Sequence, residues 1–209
     1  HGPFYLANGE ELYVDETGEP AGFVFKTLSD PYVGRMSFIK VLSGYLEPGM
    51  ELTNARSKKK ERLSHLYVMM GKEPMDVKSA KAGDIIVVPK MNETKTGDTL
   101  SLSGDIEVDP LPSPVPLYPI ALEAENKKDE DKLGTFLSKQ AEIDPTLRLV
   151  RYEETHQQVV FTMGDMHVDV LLNKLKNQAK IEAHFVPVRI PYRETIQKTA
   201  EAEGRHKKQ

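Results

Sequence analysis

Five prolines within eleven residues divide this chain into two parts. They lie in the segment Asp109–Pro119, which reads DPLPSPVPLYP. Each proline fixes its φ angle and has no backbone N–H to donate. The segment is therefore predicted to be a stiff, extended linker. The 209 residues then form two domains of about 100 residues each.

Residues 21–108 have the pattern of an all-β domain. Short apolar or alternating segments recur with turn residues about every ten positions, which is typical of a closed barrel or a sandwich. Pro48 and Gly49 predict one of the turns. This part shows no apolar stripe of the kind that marks an amphipathic helix. The predicted strands are Gly22–Leu28, Gly34–Gly44, Arg62–Met70, Ala82–Lys90 and Thr96–Leu102.

Residues 117–192 follow a different pattern, in which two helices alternate with four strands. The first helix is predicted at Lys127–Ile143 and ends before Pro145. The second is predicted at Asp165–Gln178, where four apolar residues at positions i, i+3, i+4 and i+7 share one face. The last strand is predicted within Ile181–Glu194. The order βαββαβ is the ferredoxin-like plan, which RNA-binding and purely structural modules both use.

Three segments lie outside the two domains. Residues 1–20 are rich in glycine and acidic residues and are interpreted as a linker. Residues 109–116 form the proline-rich linker. Residues 193–209 are interpreted as the shortened start of a further domain, and because the chain starts at His1, not Met, we expect a piece of a larger protein.

Composition limits the possible functions. The chain has no cysteine, so disulfides and thiolate metal sites are excluded, and a reducing compartment is expected. The net charge is −4, so contact with nucleic acid needs a local basic patch. Apolar runs stay well below the roughly 18 residues that a membrane-spanning helix needs, and no secretory signal is recognisable.

One local basic patch exists. The stretch Asn54–Arg62 reads NARSKKKER, with five cations and one anion between Arg56 and Arg62. Such a run is commonly a solvated loop, but in an acidic chain it is also the best candidate for contacts with phosphate. Contacts of that kind position a protein on nucleic acid without reading its sequence.

Two short motifs have a chemical and a structural interpretation. Asn126–Asp129 reads NKKD, a guanine-binding pattern, yet the chain has no phosphate loop of the form G-x-x-x-x-G-K-[ST]. Helix initiation at Asp129 is the favoured interpretation. Asp165, His167 and Asp169 are close in sequence, but His167 points away from the other two on a helix, so a helix start is favoured over a metal site. The spacing of residues indicates no catalytic nucleophile.

Several longer stretches resemble the elongation factor G family of translational GTPases. FVFKTLSDPYVGRMSFIKVLSGYLEPG, KKKERLSHLYVMMGKE, AGDIIVVPK and TGDTL resemble its second domain. ALEAENKKDEDKLGTFLSKQAEIDPTLRLVRYEE, GDMHVDVLLNKLK and VPVRIPYRETI resemble its third domain, and the closing EAEGRHKKQ resembles the start of its fourth. The resemblance covers nearly all of Pro20–Gln209 and implies a translation-factor β-barrel followed by a ferredoxin-like α+β domain.

The resemblance also implies functional surfaces. The barrel would contact RNA and protein of the small ribosomal subunit, with Arg56, Lys58, Lys59, Lys60 and Arg62 as RNA-contact candidates. The start of the second helix would face the GTPase domain, near the fusidane pocket of the family. The interface candidates there are Gly164, Asp165, Met166, His167 and Leu171. The family usually reads Gly-Glu-Leu-His-Leu at this point, whereas this chain has Asp165 and Met166.

The implied parent protein is a cytoplasmic GTPase that uses GTP and magnesium for ribosomal translocation. The chain itself is expected to hold no catalytic residue, no cofactor and no metal, and to act through the ribosome and through its own GTPase and distal domains. Two alternatives stay open. The parent could be a ribosomal-protection or release-type GTPase built from the same domains, or the chain could be a free-standing RNA-binding adaptor.

Overall fold

A computed structural model describes residues 3–30 and 33–205. Three short segments lie outside the described residues. They are residues 1–2 of the predicted opening linker, residues 31–32 of the DPYVGR motif and residues 206–209 of the final segment. We call residues 3–108 the N-terminal half and residues 117–192 the C-terminal half.

The N-terminal half is built from β-strands. They are β1 (Phe4–Tyr5), β2 (Glu11–Leu12), β3 (Ala21–Asp30), β4 (Gly34–Ser43), β5 (Tyr45–Leu46), β6 (Glu51–Asn54), β7 (Lys60–Arg62), β8 (Tyr67–Met70), β9 (Glu73–Asp76), β10 (Ala80–Lys81), β11 (Ile85–Pro89) and β12 (Thr99–Ser101). Eight of them form one antiparallel sheet in the order β7-β6-β12-β3-β4-β11-β8-β9. The prediction of an all-β fold for this half is confirmed.

The long hairpin of β3 and β4 organises this sheet. Two register shifts, at Ala21/Gly22 and at Val24/Lys26, bend the strands as β-bulges do. Side chains of several strands meet in one buried cluster. Members of that cluster include Val24, Ile39, Leu46, Leu52, Leu63, Leu66, Ile86, Val88 and Leu100. Burial of such side chains, at about 25 cal/mol per Å² of apolar surface, is what holds the sheet together.

One predicted strand is divided in the structure. The sequence predicts a continuous strand at Arg62–Met70, but β7 ends at Arg62 and β8 begins at Tyr67. Leu63 and Leu66 are both fully buried. Residues three apart cannot face the same side of a regular strand, so the chain must leave the ladder between them.

The first twenty residues differ from the predicted linker. β1 and β2 pair as a short hairpin, and Leu6 bridges to Val108 at the far end of the half. The reason is apolar packing. Phe4, Leu6 and Leu12 cover a small cluster of Ala21, Leu42 and Val108, which an acidic and glycine-rich composition does not reveal.

The C-terminal half has the predicted order of elements. They are β13 (Tyr118–Ala124), α1 (Glu130–Ile143), β14 (Arg148–Tyr152), β15 (Gln157–Thr162), α2 (Asp165–Lys174) and β16 (Ala183–Val186). A 3₁₀ turn at Lys127–Asp129 precedes α1, and a π-helical turn at Leu175–Ala179 follows α2. The four strands form an antiparallel sheet in the order β14-β15-β13-β16.

Both helices pack on one face of this sheet. In α1 the buried residues are Leu133, Phe136, Leu137 and Gln140, and in α2 they are Val168 and Leu171. These side chains meet Ile120, Leu122 and Val160 of the sheet in a second buried cluster. The apolar face predicted for the second helix is therefore confirmed. Neither helix in the described part of the chain has the length and apolar character to cross a membrane.

The last strand is shorter than predicted. β16 pairs with β13 only as far as Val186, and the chain continues without ladder hydrogen bonds from Pro187. Pro187 and Pro191 have no N–H to donate, so neither can supply a ladder bond at its position. Residues 187–194, PVRIPYRE, are therefore not part of a sheet strand.

Candidate functional site

The basic run lies at the turn between β6 and β7. Asn54 organises this turn, because its Oδ1 accepts hydrogen bonds from the backbone N–H groups of Arg56 and Ser57, both at 3.0 Å. Lys58 has a φ of 56°, in the left-handed region, and its N–H donates to the Asn54 carbonyl at 2.8 Å. The turn is thus closed by local hydrogen bonds.

Arg56 is a structural residue in this arrangement. Its Nε lies 2.7 Å from Asp98 Oδ1, and its Nη2 lies 2.8 Å from Asp98 Oδ2. Asp98 is 5% exposed and also accepts bonds from the Asn54 side chain and the Lys95 N–H. Burial alone would raise the pKa of Asp98, but these bonds, with Arg56 first among them, hold its pKa below the ordinary value. A paired guanidinium of this kind is poorly placed to contact phosphate as well.

Lys58 and Lys59 have local partners. The Nζ of Lys59 lies 2.8 Å from Glu93 Oε1, and both side chains are exposed. The hydrogen bond from Lys59 lowers the pKa of Glu93. The Nζ of Lys58 donates to the carbonyl of Gly104 at 3.1 Å. An exposed ion pair contributes little to stability, so Lys59 can exchange its partner at low cost.

Lys60 and Arg62 project outward from β7. Glu61 lies between them and points inward, where its Oε1 accepts bonds from the Thr94 N–H and hydroxyl, both at 3.0 Å. Lys60 and Arg62 are exposed, and within the described residues neither side chain forms a hydrogen bond or an ion pair. The structure therefore divides the basic run: Arg56 braces the fold, while Lys58, Lys59, Lys60 and Arg62 present charge on the surface. We call these four residues the basic edge.

The second predicted surface lies at the start of α2. Gly164 has a φ of 144°, and its carbonyl accepts bonds from the N–H groups of His167 and Val168. Asp165 is exposed in the first turn, where a carboxylate favours the positive end of a helix. A hydrogen bond to Asp165 raises the pKa of Tyr118. Met166 is 77% exposed.

His167 and Leu171 are placed differently from Met166. His167 Nδ1 accepts the Met163 N–H at 3.2 Å, and its Nε2 lies 3.2 Å from Asp144 Oδ2. Burial alone would raise the pKa of Asp144. Hydrogen bonds from Thr146 and the nearby charge of Lys174 nevertheless hold the pKa of Asp144 below its ordinary value. Leu171 is 2% exposed and belongs to the core, so its side chain is not available at the surface of this structure.

The two motifs with a chemical interpretation have structural roles. Asn126 caps the 3₁₀ turn before α1 by accepting the Lys128 N–H at 3.3 Å. Asp129 pairs with Lys132 at 2.8 Å. Among residues 3–30 and 33–205, histidines and carboxylates do not come together in a group that could hold a metal ion. Asp165, His167 and Asp169 therefore do not converge.

One contact between the halves has no signal in the sequence. Arg35 donates to the carbonyls of Asn92 and Thr94, and its Nη1 lies 3.8 Å from Glu142 Oε2 near the end of α1. Arg35 thus connects the loop beside Asp98 with the C-terminal half. The residues involved are 57 to 107 positions apart along the chain, beyond the range of any local pattern.

Two family models match the chain one after the other. The model described as Elongation factor G domain 2 matches residues 19–103. The model described as Elongation Factor G, domain III matches residues 113–187. The interval between them includes the start of the proline-rich segment.

Individual relatives give the same result. The chain is 34% identical to an elongation factor G of Mycoplasma genitalium over 206 residues, which covers 97% of this chain and 30% of that protein. A crystal structure of a protein from Thermus thermophilus matches with a TM-score of 0.71 and 34% identity, covering 85% of this chain and 27% of the matched chain. The chain therefore spans less than a third of the length of these relatives.

Proposed function

The chain belongs to the elongation factor G family, and we propose that it is part of a cytoplasmic GTPase that moves tRNA and mRNA through the ribosome. The observation that carries this proposal is the succession of the second-domain and third-domain matches along one chain. The similarity of nearly the whole chain to an elongation factor G supports it. Translation elongation then supplies both the partner, the ribosome, and the energy source, GTP.

The same proposal implies a fold for each half of the chain. The eight-stranded sheet of residues 21–108 would close as a translation-factor barrel, and residues 117–192 would be a ferredoxin-like domain. The strand order β14-β15-β13-β16 supports the second assignment, since a split βαβ unit places its first and third strands at the centre of the sheet. Residues 109–116 would join the two domains, and residues 193–209 would begin the next one.

The N-terminal half would rest on the small ribosomal subunit through the basic edge. Lys60 and Arg62 have no competing partner in the described structure, and Lys59 has only an exposed one. Cations in this state can neutralise RNA phosphates at little cost to the fold. Arg56 would support this surface by fixing the turn through its pair with Asp98, although the sequence grouped it with the contact residues.

The C-terminal half would couple the GTPase domain to the distal domains. Met166 offers an exposed apolar contact beside Asp165 at the start of α2. His167 is held from both sides and would keep the helix start in a fixed orientation. A rigid helix start between two domains can transmit a rotation of one domain to the other. Leu171 would support this surface from within the core.

GTP and magnesium would be bound by another part of the parent protein. This chain has no phosphate loop, and in its NKKD motif Asn126 caps the 3₁₀ turn before α1 while Asp129 pairs with Lys132. Its contribution to GTP hydrolysis would therefore be indirect, through the orientation of the GTPase domain on the ribosome. No residue of the chain is proposed to touch the reacting phosphate.

The test uses the full-length product of the gene that encodes this chain. Pre-translocation ribosomes are mixed with this protein and GTP, and movement of tRNA and mRNA is followed by a fluorescent label on the mRNA. We expect rapid movement with GTP and much slower movement with a non-hydrolysable analogue. GTP-dependent ribosome binding without movement would overturn the proposal in favour of a protection or release factor, and GTP-independent RNA binding would favour an adaptor.

A further inference from the structure

The chain leaves the C-terminal half along a path that a side chain fixes. After β16, the Nε2 of Gln157 donates to the carbonyl of Pro187 at 3.0 Å. The N–H of Arg189 donates to Oε1 of the same Gln157 at 2.8 Å. One amide group thus binds both the acceptor and the donor of the extended segment, as a residue of a neighbouring strand would do in a hydrogen-bonded pair.

The environment of Gln157 makes this a defined contact. Gln157 is 5% exposed at the start of β15, where its backbone pairs with Tyr152. A buried amide requires partners for its oxygen and nitrogen, and here both partners come from residues 187–189. Loss of the segment would leave the amide unpaired, so the segment and the side chain hold each other in place.

A second contact lies further along the same segment. Arg193 Nη2 lies 2.6 Å from Oε1 of Glu154, in the turn between β14 and β15. The hydrogen bond from Arg193 lowers the pKa of Glu154. Both side chains are exposed, so this pair contributes less than the buried amide. Its place in the turn adjoining Gln157 nevertheless adds a second attachment point in the same direction.

We propose that Gln157, assisted by Glu154, is a positioning residue that fixes the direction in which the chain leaves the C-terminal half. Pro187 within the attached residues and Pro191 after them restrict φ. Anchoring of residues 187–189 therefore sets the direction of the residues that follow. The link to translocation rests on the proposed function, because there this segment leads toward the distal domains. The anchoring itself does not depend on that function.

The direct test is amide hydrogen exchange in the 209-residue chain, followed residue by residue by NMR. In the wild type the Arg189 amide should exchange at least several-fold more slowly than the Val188 amide, whose N–H has no partner among the described residues. Gln157→Leu removes the acceptor. We expect exchange at Arg189 to become roughly tenfold faster, as loss of one hydrogen bond allows.

Two further variants separate anchoring from a general loss of structure. Gln157→Glu keeps an acceptor for Arg189 but sets an oxygen against the Pro187 carbonyl, so protection of the Arg189 amide should fall between that of the wild type and that of Gln157→Leu. Gln158→Leu alters the neighbouring residue, which lies against Gly134 of α1, and should leave Arg189 unchanged. The amides of β13 and β15 report whether the sheet is intact in each variant.

Each outcome has a clear meaning. Equal exchange at Arg189 and Val188 in the wild type, or unchanged exchange at Arg189 in Gln157→Leu with an intact sheet, would overturn the proposal. In the full-length protein, Gln157→Leu should slow translocation several-fold while ribosome-stimulated GTP hydrolysis keeps its rate. If the exchange results hold but the full-length protein moves no tRNA, the proposed function fails and the anchoring stands.

Discussion

At the scale of single residues, the basic run combines two physical roles that look alike in the sequence. Arg56 makes two charge-assisted hydrogen bonds to the buried Asp98, whereas Lys60 projects into solvent. A guanidinium fork suits the first role, because it matches both oxygens of a carboxylate. The sequence shows five cations of equal appearance, and only the position of Asp98, 42 residues away, separates them.

Substitution of Asp98 tests the structural role. Asp98→Asn leaves Arg56 without its buried counter-charge and leaves one acceptor oxygen where Arg56, Asn54 and Lys95 now share two. We expect the free energy of unfolding to fall by about 2 kcal/mol, less than for a fully buried pair because Arg56 is half exposed. Urea unfolding followed by circular dichroism measures the loss. Asp105→Asn, at an exposed position, should cost less than about 0.5 kcal/mol.

The stabilisation by the Arg56–Asp98 pair should depend on pH. Folding lowers the pKa of Asp98, so the unfolded chain binds its proton at a higher pH than the folded chain does. The stabilisation is therefore fully present above the unfolded pKa of about 4 and is lost as the pH falls through the folded pKa. The difference in stability between wild type and Asp98→Asn should shrink below that pH, and a constant difference would contradict the assignment.

Charge reversal tests the surface role of the basic edge. Replacing Lys60 and Arg62 with Glu should weaken binding of the full-length protein to ribosomes. The slope of log affinity against log salt should become shallower by roughly 0.7–0.9 for each phosphate that the variant no longer neutralises. Reversal of Lys127 and Lys128, which are exposed in the C-terminal half, changes the net charge equally and serves as the control. Equal effects of the two pairs would mean that only total charge matters.

At the scale of elements, glycines with positive φ divide into those that only turn the chain and those that also need space. Gly44, between β4 and β5, has a φ of +61°, and a Cβ there would lie 2.6 Å from the Gly18 carbonyl oxygen. Gly49, in the next turn, has a φ of +92° and open space around it. The two positions share a conformational requirement and differ in crowding.

This contrast predicts unequal effects of the same substitution. Gly44→Ala should lower the free energy of unfolding by roughly 3 kcal/mol, since backbone strain adds to a clash with backbone atoms that cannot move aside. Gly49→Ala should cost about 1 kcal/mol from strain alone. Thermal unfolding of the two variants at one pH compares them. Equal losses would show that the segment at residues 15–20 yields easily.

Local periodicity explains which elements the sequence predicts. The faces of α1 and α2 follow from apolar spacing within one helix, and the strands of the central hairpin follow from residues near each other in the chain. The predicted strand at Arg62–Met70 is divided because Leu63 and Leu66 are both buried in the core. β16 ends early because the prolines that follow it have no N–H to donate. Gln157 binds residues 30 to 32 positions away, so its role has no local signal.

At the scale of the whole molecule, the two halves join through a segment that contributes little packing of its own. Leu111, Val115 and Leu117 of the proline-rich segment are 89%, 68% and 76% exposed. The ion pair between Arg35 and Glu142 is long and partly exposed, so it adds less than about 1 kcal/mol to the attachment. An exposed linker and a weak ion pair would permit the relative motion that the proposed coupling role requires.

The absence of a phosphate loop predicts how the chain behaves toward nucleotide. The NKKD motif alone offers a carboxylate for guanine, but Asp129 is paired with Lys132, and Asn126 caps the turn that starts α1. Without backbone N–H groups around the phosphates, binding of GTP should be weaker than millimolar. Calorimetric titration of the 209-residue chain with GTP and magnesium should therefore show no binding heat. The full-length protein under the same conditions is the positive control, and micromolar binding by the 209-residue chain would restore the guanine interpretation of Asn126–Asp129.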